Sequence, residues 1–274
     1  MDDHHLSNNE NFRKSNNTKQ NNNTQISTKN IDPYIGPRSY KNERDDQIRF
    51  FGRNSETDDI ISIILGHRLC LVYSTSGLGK TSIFNAKIIP TLDDEYKFEV
   101  LPMARVGIIT SHEEMRQVED LPEFNQTRLK ETQSLPPTPQ PTETLDTPTP
   151  PFNIFIFNAL QSLKHIKENE KIFPLNTTLS SFLKENLRLK ENKIEGKGQT
   201  MPKVLIFDQF EELFKFNPGT LAKYSKLFEF LQKNWYLQKK EFFNQITEAL
   251  NNHPSLRIVF IMREDYLAEL DPFT

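Results

Sequence analysis

The chain has 274 residues, with 34 basic and 37 acidic side chains, a net charge of −3 and a hydrophobic fraction of 35%. The near-neutral balance leaves no broad electrostatic footprint for nucleic acid. No apolar run approaches the about 18–20 residues of a membrane-spanning helix, and the single cysteine, Cys70, excludes a disulfide scaffold or a cysteine-only metal site. 

The length allows one or two domains. A hydrophobic fraction below the about 45–50% of ordinary globular chains predicts tails or linkers beside the core. The first ten residues, MDDHHLSNNE, carry neither a basic n-region nor an apolar h-region. With one cysteine, this fits a reducing cytoplasm. Residues 1–31 are rich in Asn, with nine in the first thirty positions, and cannot bury enough surface to offset their ordering entropy. They are expected to be disordered.

Leu69–Tyr73 (LCLVY) is the first strand-like apolar run. It leads directly into STSGLGKT (Ser74–Thr81) and then into a helix-compatible segment, Thr81–Ile89. This resembles a Walker A loop, GxxxxGK[ST], with Ser74 in place of the first Gly. Gly77 and Gly79 let backbone N–H groups from Ser76 to Gly79, Leu78 included, turn toward phosphate oxygens. The helix opening at Lys80 directs its positive end at the same anion, near Ser82. Lys80 is the candidate for the β- and γ-phosphates, and the Thr81 hydroxyl is the candidate Mg²⁺ ligand.

A second apolar run, Phe98–Met103, reads as a strand, with Arg105 following. Residues 108–151 read as one insertion, first acidic and polar, then SLPPTPQPTETLDTPTPP, in which seven of eighteen positions are Pro. Phe157, Leu160, Leu163 and Ile166 recur at helical spacing. Without the tail and insertion about 200 residues remain, the size of one α/β domain.

Val204–Phe207 (VLIF) is a buried-type strand ending at Asp208. A carboxylate at the C-terminal end of a parallel strand lies where open α/β sheets bind ligands, which makes Asp208 the candidate Walker B residue, holding Mg²⁺ through water. Glu211 and Glu212 follow at helical spacing. One of them is placed to orient or deprotonate a water, or both merely favour a helix N-terminus. Leu221–Leu250 is helix-compatible throughout, with Trp235 expected to anchor it to the sheet. The last run, Ile258–Met262, ends at Arg263, which either senses a γ-phosphate or pairs with Glu264, Asp265 or another surface acid. Cys70 reads as a small buried hydrophobe. Strands alternating with helices predict right-handed crossovers and a mainly parallel sheet flanked by helices, a three-layer α/β architecture.

These blocks together resemble the STAND class of P-loop NTPases, most closely its novel-STAND group. DPYIGPRSY (Asp32–Tyr40), FFGRNSE (Phe50–Glu56), the phosphate loop, LPMARVG, DQFEELF and MREDYLAELDPF follow the group's motifs in order and spacing. The resemblance covers most of residues 32–107 and 152–273. It implies that Phe51, Gly52 and Arg53 line the adenine pocket, that Arg263 is a sensor arginine, and that Asp208, Glu211 and Glu212 form an acidic pattern like that of the related NACHT branch, with the base left open between the two glutamates. It further implies an ATP- or ADP-binding, Mg²⁺-dependent signalling or defence switch with slow ATPase activity and a homo-oligomeric active form, with unidentified sensor or effector partners and no membrane. Relatives continue into a helical lid and a repeat sensor, so the core over residues 32–274 is expected to be incomplete and to bind ATP weakly. Two other functions share the fold: a nucleotide-dependent scaffold without useful hydrolysis, and a nucleic-acid-remodelling ATPase, against which the charge weighs.

Overall fold

The computed structural model describes residues 35–107, 152–163, 173–174, 176–191, 201–215 and 225–273. The expected tail (1–31) and insertion (108–151) lie outside them, as do Ile166 and residues 221–224 of the predicted long helix. In chain order the elements are α1 (Arg44–Arg49), α2 (Asn54–Gly66), β1 (Leu69–Ser74), α3 (Lys80–Ile83), a π turn (Phe84–Ile88), α4 (Ile89–Asp94), β2 (Glu99–Val100), α5 (Ile154–Ser162), α6 (Leu179–Glu191), β3 (Lys203–Phe207), a 3-10 turn (Phe210–Leu213), α7 (Ser225–Asn252), β4 (Leu256–Arg263) and a second 3-10 segment (Glu264–Phe273).

The four strands form one parallel sheet in the order β1-β4-β3-β2. Every residue of β3 is buried, which explains the apolar run Val204–Phe207 after the Glu99-paired Lys203: both faces of the sheet are covered. Val204, Ile206, Val259, Ile261 and Cys70 face a core built with α2, α3, the π turn and α4. Leu205, Phe207, Ile258, Phe260 and Met262 face a core built with α5, α6 and α7. The result is the expected three-layer α/β arrangement around a parallel sheet.

Several local details differ from the sequence reading. The helix after the phosphate loop runs on to Asp94 through the π turn, which ends at Ile88, two residues before Pro90. Proline cannot donate to the preceding turn and its ring crowds the carbonyl there, so the helix widens at that point. Trp235 packs edge-on against Phe155 of α5, at 5.0 Å between ring centroids, and against the core on that face of the sheet. The Cys70 thiol is buried as expected, and burial raises its pKa above the ordinary 9.0.

The predicted strand Phe98–Met103 is regular only over Glu99–Val100. Leu101 N–H donates to Val204 O (2.9 Å) and Ala104 N–H to Ile206 O (2.8 Å). Three steps along this edge therefore match two on β3, which is a one-residue bulge at Pro102–Met103. The extra residue exchanges the two faces. Phe98, Val100 and Met103 pack on the α3 side, while Leu101, Ala104 and Val106 pack on the α5 side. Arg105 thus leaves the edge on the face that carries α3.

Candidate functional site

The loop between β1 and α3 turns on two glycines with positive φ, Gly77 (81°) and Gly79 (77°). A side chain at either would be strained in this conformation, and without one the backbone can approach a ligand closely. Lys80 is the first residue of α3, so the helix N-terminus opens at the loop. Its ammonium donates to Ser74 O (2.8 Å), Thr75 O (2.8 Å) and Ser74 Oγ (3.2 Å), which holds the loop folded around it. Burial lowers the Lys80 pKa below the ordinary 10.5, with Glu211 and Asp208 acting in the opposite direction.

Asp208 follows β3 directly and is 2% exposed. The Thr81 hydroxyl donates to its carboxylate at 3.0 and 3.2 Å. Arg105 Nη2 also lies 3.3 Å from Oδ2. The chain then turns sharply at Gln209, which is left-handed (φ 56°), into the 3-10 turn. Below it, Phe210 stacks on Phe260 at 4.1 Å, which pins the acidic loop to the sheet. Hydroxyl and carboxylate oxygens side by side at the lip of a phosphate-type loop are the hard donors that Mg²⁺ prefers.

A cleft of about 410 Å³ opens above these residues. One wall is Ser76, Gly77, Gly79, Lys80, Thr81 and Ser82, and another is Asp208, Gln209 and Glu211, with Arg263 at the tip of β4. Of the two glutamates, Glu211 is 6% exposed and lines the cleft, with Lys215 Nζ at 3.5 Å from Oε1. Glu212 lies outside the cleft lining, so close to Gly107 that a β-carbon there would sit 1.6 Å from Oε2. Burial raises the Glu212 pKa above the ordinary 4.5, and the neighbouring Arg105 charge opposes that rise. Arg263 lines the cleft but donates to Asp265 at 2.5 and 3.0 Å, the surface pairing that was its alternative role. These hydrogen bonds hold the Asp265 carboxyl below its usual range.

The remaining wall was not anticipated. Pro37, Arg38 and Ser39 line the cleft, not Phe51–Arg53. Arg38 grips the buried Asp46 with two parallel hydrogen bonds of 2.6 and 2.8 Å, and Lys41 N–H adds a third at 2.8 Å. Tyr40 N–H donates to Ser82 Oγ (3.3 Å) and Asn85 donates to Tyr40 O (2.8 Å), which lays this segment along α3. Phe51 is 71% exposed. Gly52 and Arg53 are both left-handed, and Arg53 braces the phosphate loop from outside, donating to Leu78 O at 2.5 Å. The GPRSY block was visible in the sequence, but nothing local tied it to the loop some forty positions away.

Neither a curated protein nor a solved structure matches the chain. No described helix is long and apolar enough to cross a membrane. The sequence model of one family, Novel STAND NTPase 1, matches residues 33–273, nearly the whole chain. With a parallel α/β sheet and a glycine-turned loop opening onto a helix N-terminus, the chain belongs to the Novel STAND NTPase 1 family.

Proposed function

We propose that the chain binds ATP with Mg²⁺ in the cleft above the Gly77–Gly79 loop and hydrolyses it slowly, as a two-state signalling or defence switch. The observation that carries this reading is the convergence of Lys80, Thr81 and Asp208 on one lip of that cleft. Backbone N–H groups of the loop and the α3 N-terminus would receive the phosphates. The Lys80 ammonium, held near 2.8 Å from two loop carbonyls, would exchange them for the β- and γ-phosphate oxygens. Thr81 and Asp208 would hold Mg²⁺, which supplies neutralisation of the charge on the transferring phosphoryl group. Thr81 can keep its donated hydrogen bond to Asp208 while offering a lone pair to the metal, since a hydroxyl has one donor and two acceptor positions.

Glu211 is the carboxylate placed to orient water, because it lines the cleft and Glu212 does not. Arg38 and Arg263 add positive charge to the same space, and Arg53 braces the loop through Leu78 O. Two features favour slow turnover, or a nucleotide-dependent scaffold without useful hydrolysis. Glu211 is ion-paired with Lys215, and Arg263 is ion-paired with Asp265. Both groups must leave those partners to act on phosphate or water.

Calorimetry with ATP and ADP, followed by single-turnover hydrolysis, tests the reading. Binding that needs Lys80, with hydrolysis that needs Glu211, supports the switch. Binding without any Glu211-dependent hydrolysis supports the scaffold, and no nucleotide binding overturns both. Light scattering with each nucleotide tests whether the switch includes a homo-oligomer.

A further inference from the structure

We infer that Arg105 is a positioning residue that competes with the divalent cation for Asp208, so that the metal must displace a built-in guanidinium charge to engage the site. The inference rests on the proposed nucleotide site, but the contact itself does not depend on nucleotide. Arg105 lines a second cleft, of about 460 Å³, with Asn42, Asn85, Val100 and Met103. Thr81 and Asp208 form the wall that this cleft shares with the nucleotide cleft. Arg105 therefore reaches the carboxylate from the second cleft, at 3.3 Å, next to the Thr81 hydroxyl.

The placement is built rather than incidental. The bulge at Pro102–Met103 turns Arg105 onto the α3 face, where an unbroken alternation would have sent it to the α5 side. Its backbone is then clamped from α5. Arg105 N–H donates to Ser162 Oγ at 2.9 Å, and buried Asn158 donates to Val106 O at 3.0 Å. The backbone is thus fixed while the guanidinium is half-exposed and can move.

Asp208 is almost fully buried, and a buried carboxylate needs a compensating charge. Arg105 provides it when no cation is bound. A divalent ion at the same carboxylate meets that fixed positive charge, and the two repel. Glu212 lies near enough for its carboxyl to feel the Arg105 charge. Metal binding at Asp208 thereby changes the charge beside the glutamate pair.

The test titrates Mg²⁺ against a fluorescent ATP analogue on the full chain and on Arg105→Gln, Arg105→Ala and Arg105→Lys. Competition predicts that Gln and Ala, by relieving the charge repulsion, lower the half-saturating Mg²⁺ by about tenfold while Lys stays near wild type. An unchanged or raised Mg²⁺ requirement in Gln and Ala overturns it. So does loss of ATP but not ADP binding, which would make Arg105 a γ-phosphate ligand. A second measurement needs no nucleotide: thermal melting of the Arg105→Gln/Asp208→Asn cycle in chelator and in millimolar Mg²⁺. Strong non-additivity in chelator that shrinks with Mg²⁺ is expected, and additivity in chelator overturns the pair. If wild type binds no ATP analogue, the proposed function fails, and the melting cycle still decides the Arg105 contact.

Discussion

Thr81 and Asp208 are 127 positions apart, yet the Thr81 hydroxyl donates to both carboxylate oxygens of Asp208, at 3.0 and 3.2 Å. The strand β4 separates β1 from β3, so no ladder hydrogen bond joins the two strands that present this pair. The contact is made above the sheet, by the first turn of α3 leaning over the end of β3. It links the phosphate loop to the acidic loop with a single hydrogen bond.

Replacing Thr81 by Val keeps the shape and removes that bond. Among the described residues, the Asp208 carboxylate then keeps the Arg105 contact alone in a buried position, and leaving such an acceptor short of a partner costs about 1–3 kcal/mol. Thr81→Val should therefore melt measurably lower than wild type and require more Mg²⁺ for ATP binding. Thr81→Ser, which keeps the hydroxyl, should restore most of both. Equal melting of Val and Ser variants would show that the hydrogen bond carries no stability.

Lys80 provides a second measure of the loop. Its ammonium ties together Ser74 and Thr75 carbonyls and would face the β- and γ-phosphates. A charged hydrogen bond of this kind contributes about 1.5–3 kcal/mol. Lys80→Ala should weaken ATP binding by at least about tenfold in calorimetry, since each 1.4 kcal/mol is a factor of ten. Lys80→Arg should not rescue it, because a planar fork cannot replace a compact ammonium in this turn.

How much of this was legible follows from how local each feature is. The phosphate loop could be read because the strand, the two glycines, Lys80 and Thr81 are contiguous. Asp208 could be read because a fully buried strand must be apolar on both faces and ends abruptly at a charge. Arg105 could not be placed. An apolar run such as Phe98–Met103 does not encode register, and one extra residue at Pro102 reverses the face of everything after it. The Pro37–Ser39 wall depends on Tyr40 meeting Ser82, and the choice between Glu211 and Glu212 on the Gln209 turn. These are tertiary relationships with no periodic signal. The resemblance put Phe51–Arg53 at the base pocket, and the hydrogen bond from Arg53 to Leu78 O is a tertiary contact that the motif itself does not announce.

The two glutamates are separable by substitution. Glu211→Gln should lower the single-turnover rate by about 10²-fold or more, the usual contribution of a positioned base, with ATP affinity little changed. Gly107→Ala instead pushes the Glu212 carboxylate away, because a new β-carbon would overlap Oε2. The end of a flexible side chain can yield, so the fold should survive. Hydrolysis close to wild type in Gly107→Ala is expected, and a loss matching that of Glu211→Gln would move the role to Glu212.

The ion pair behind the Pro37–Ser39 wall makes a prediction in pH. Asp46 is buried, and the Arg38 guanidinium, joined by the Lys41 N–H, holds its carboxyl well below the ordinary 3.8. A carboxylate whose folded-state pKa is depressed adds stability above its unfolded pKa and loses it as pH falls through the folded value. Asp46→Asn should therefore melt a few degrees below wild type at about pH 7, because it removes the charge of a buried carboxylate from a half-exposed guanidinium. As pH falls below 3.8 the wild-type carboxylate keeps its charge longer than an unfolded one would, so the gap should narrow progressively rather than vanish at once. Because Arg38 lines the cleft, the same substitution should weaken nucleotide binding at neutral pH. Melting curves from about pH 7 to about pH 2 check the first expectation. A constant gap across that range would mean that Asp46 supports the wall through its shape and hydrogen bonds, with no contribution from its charge.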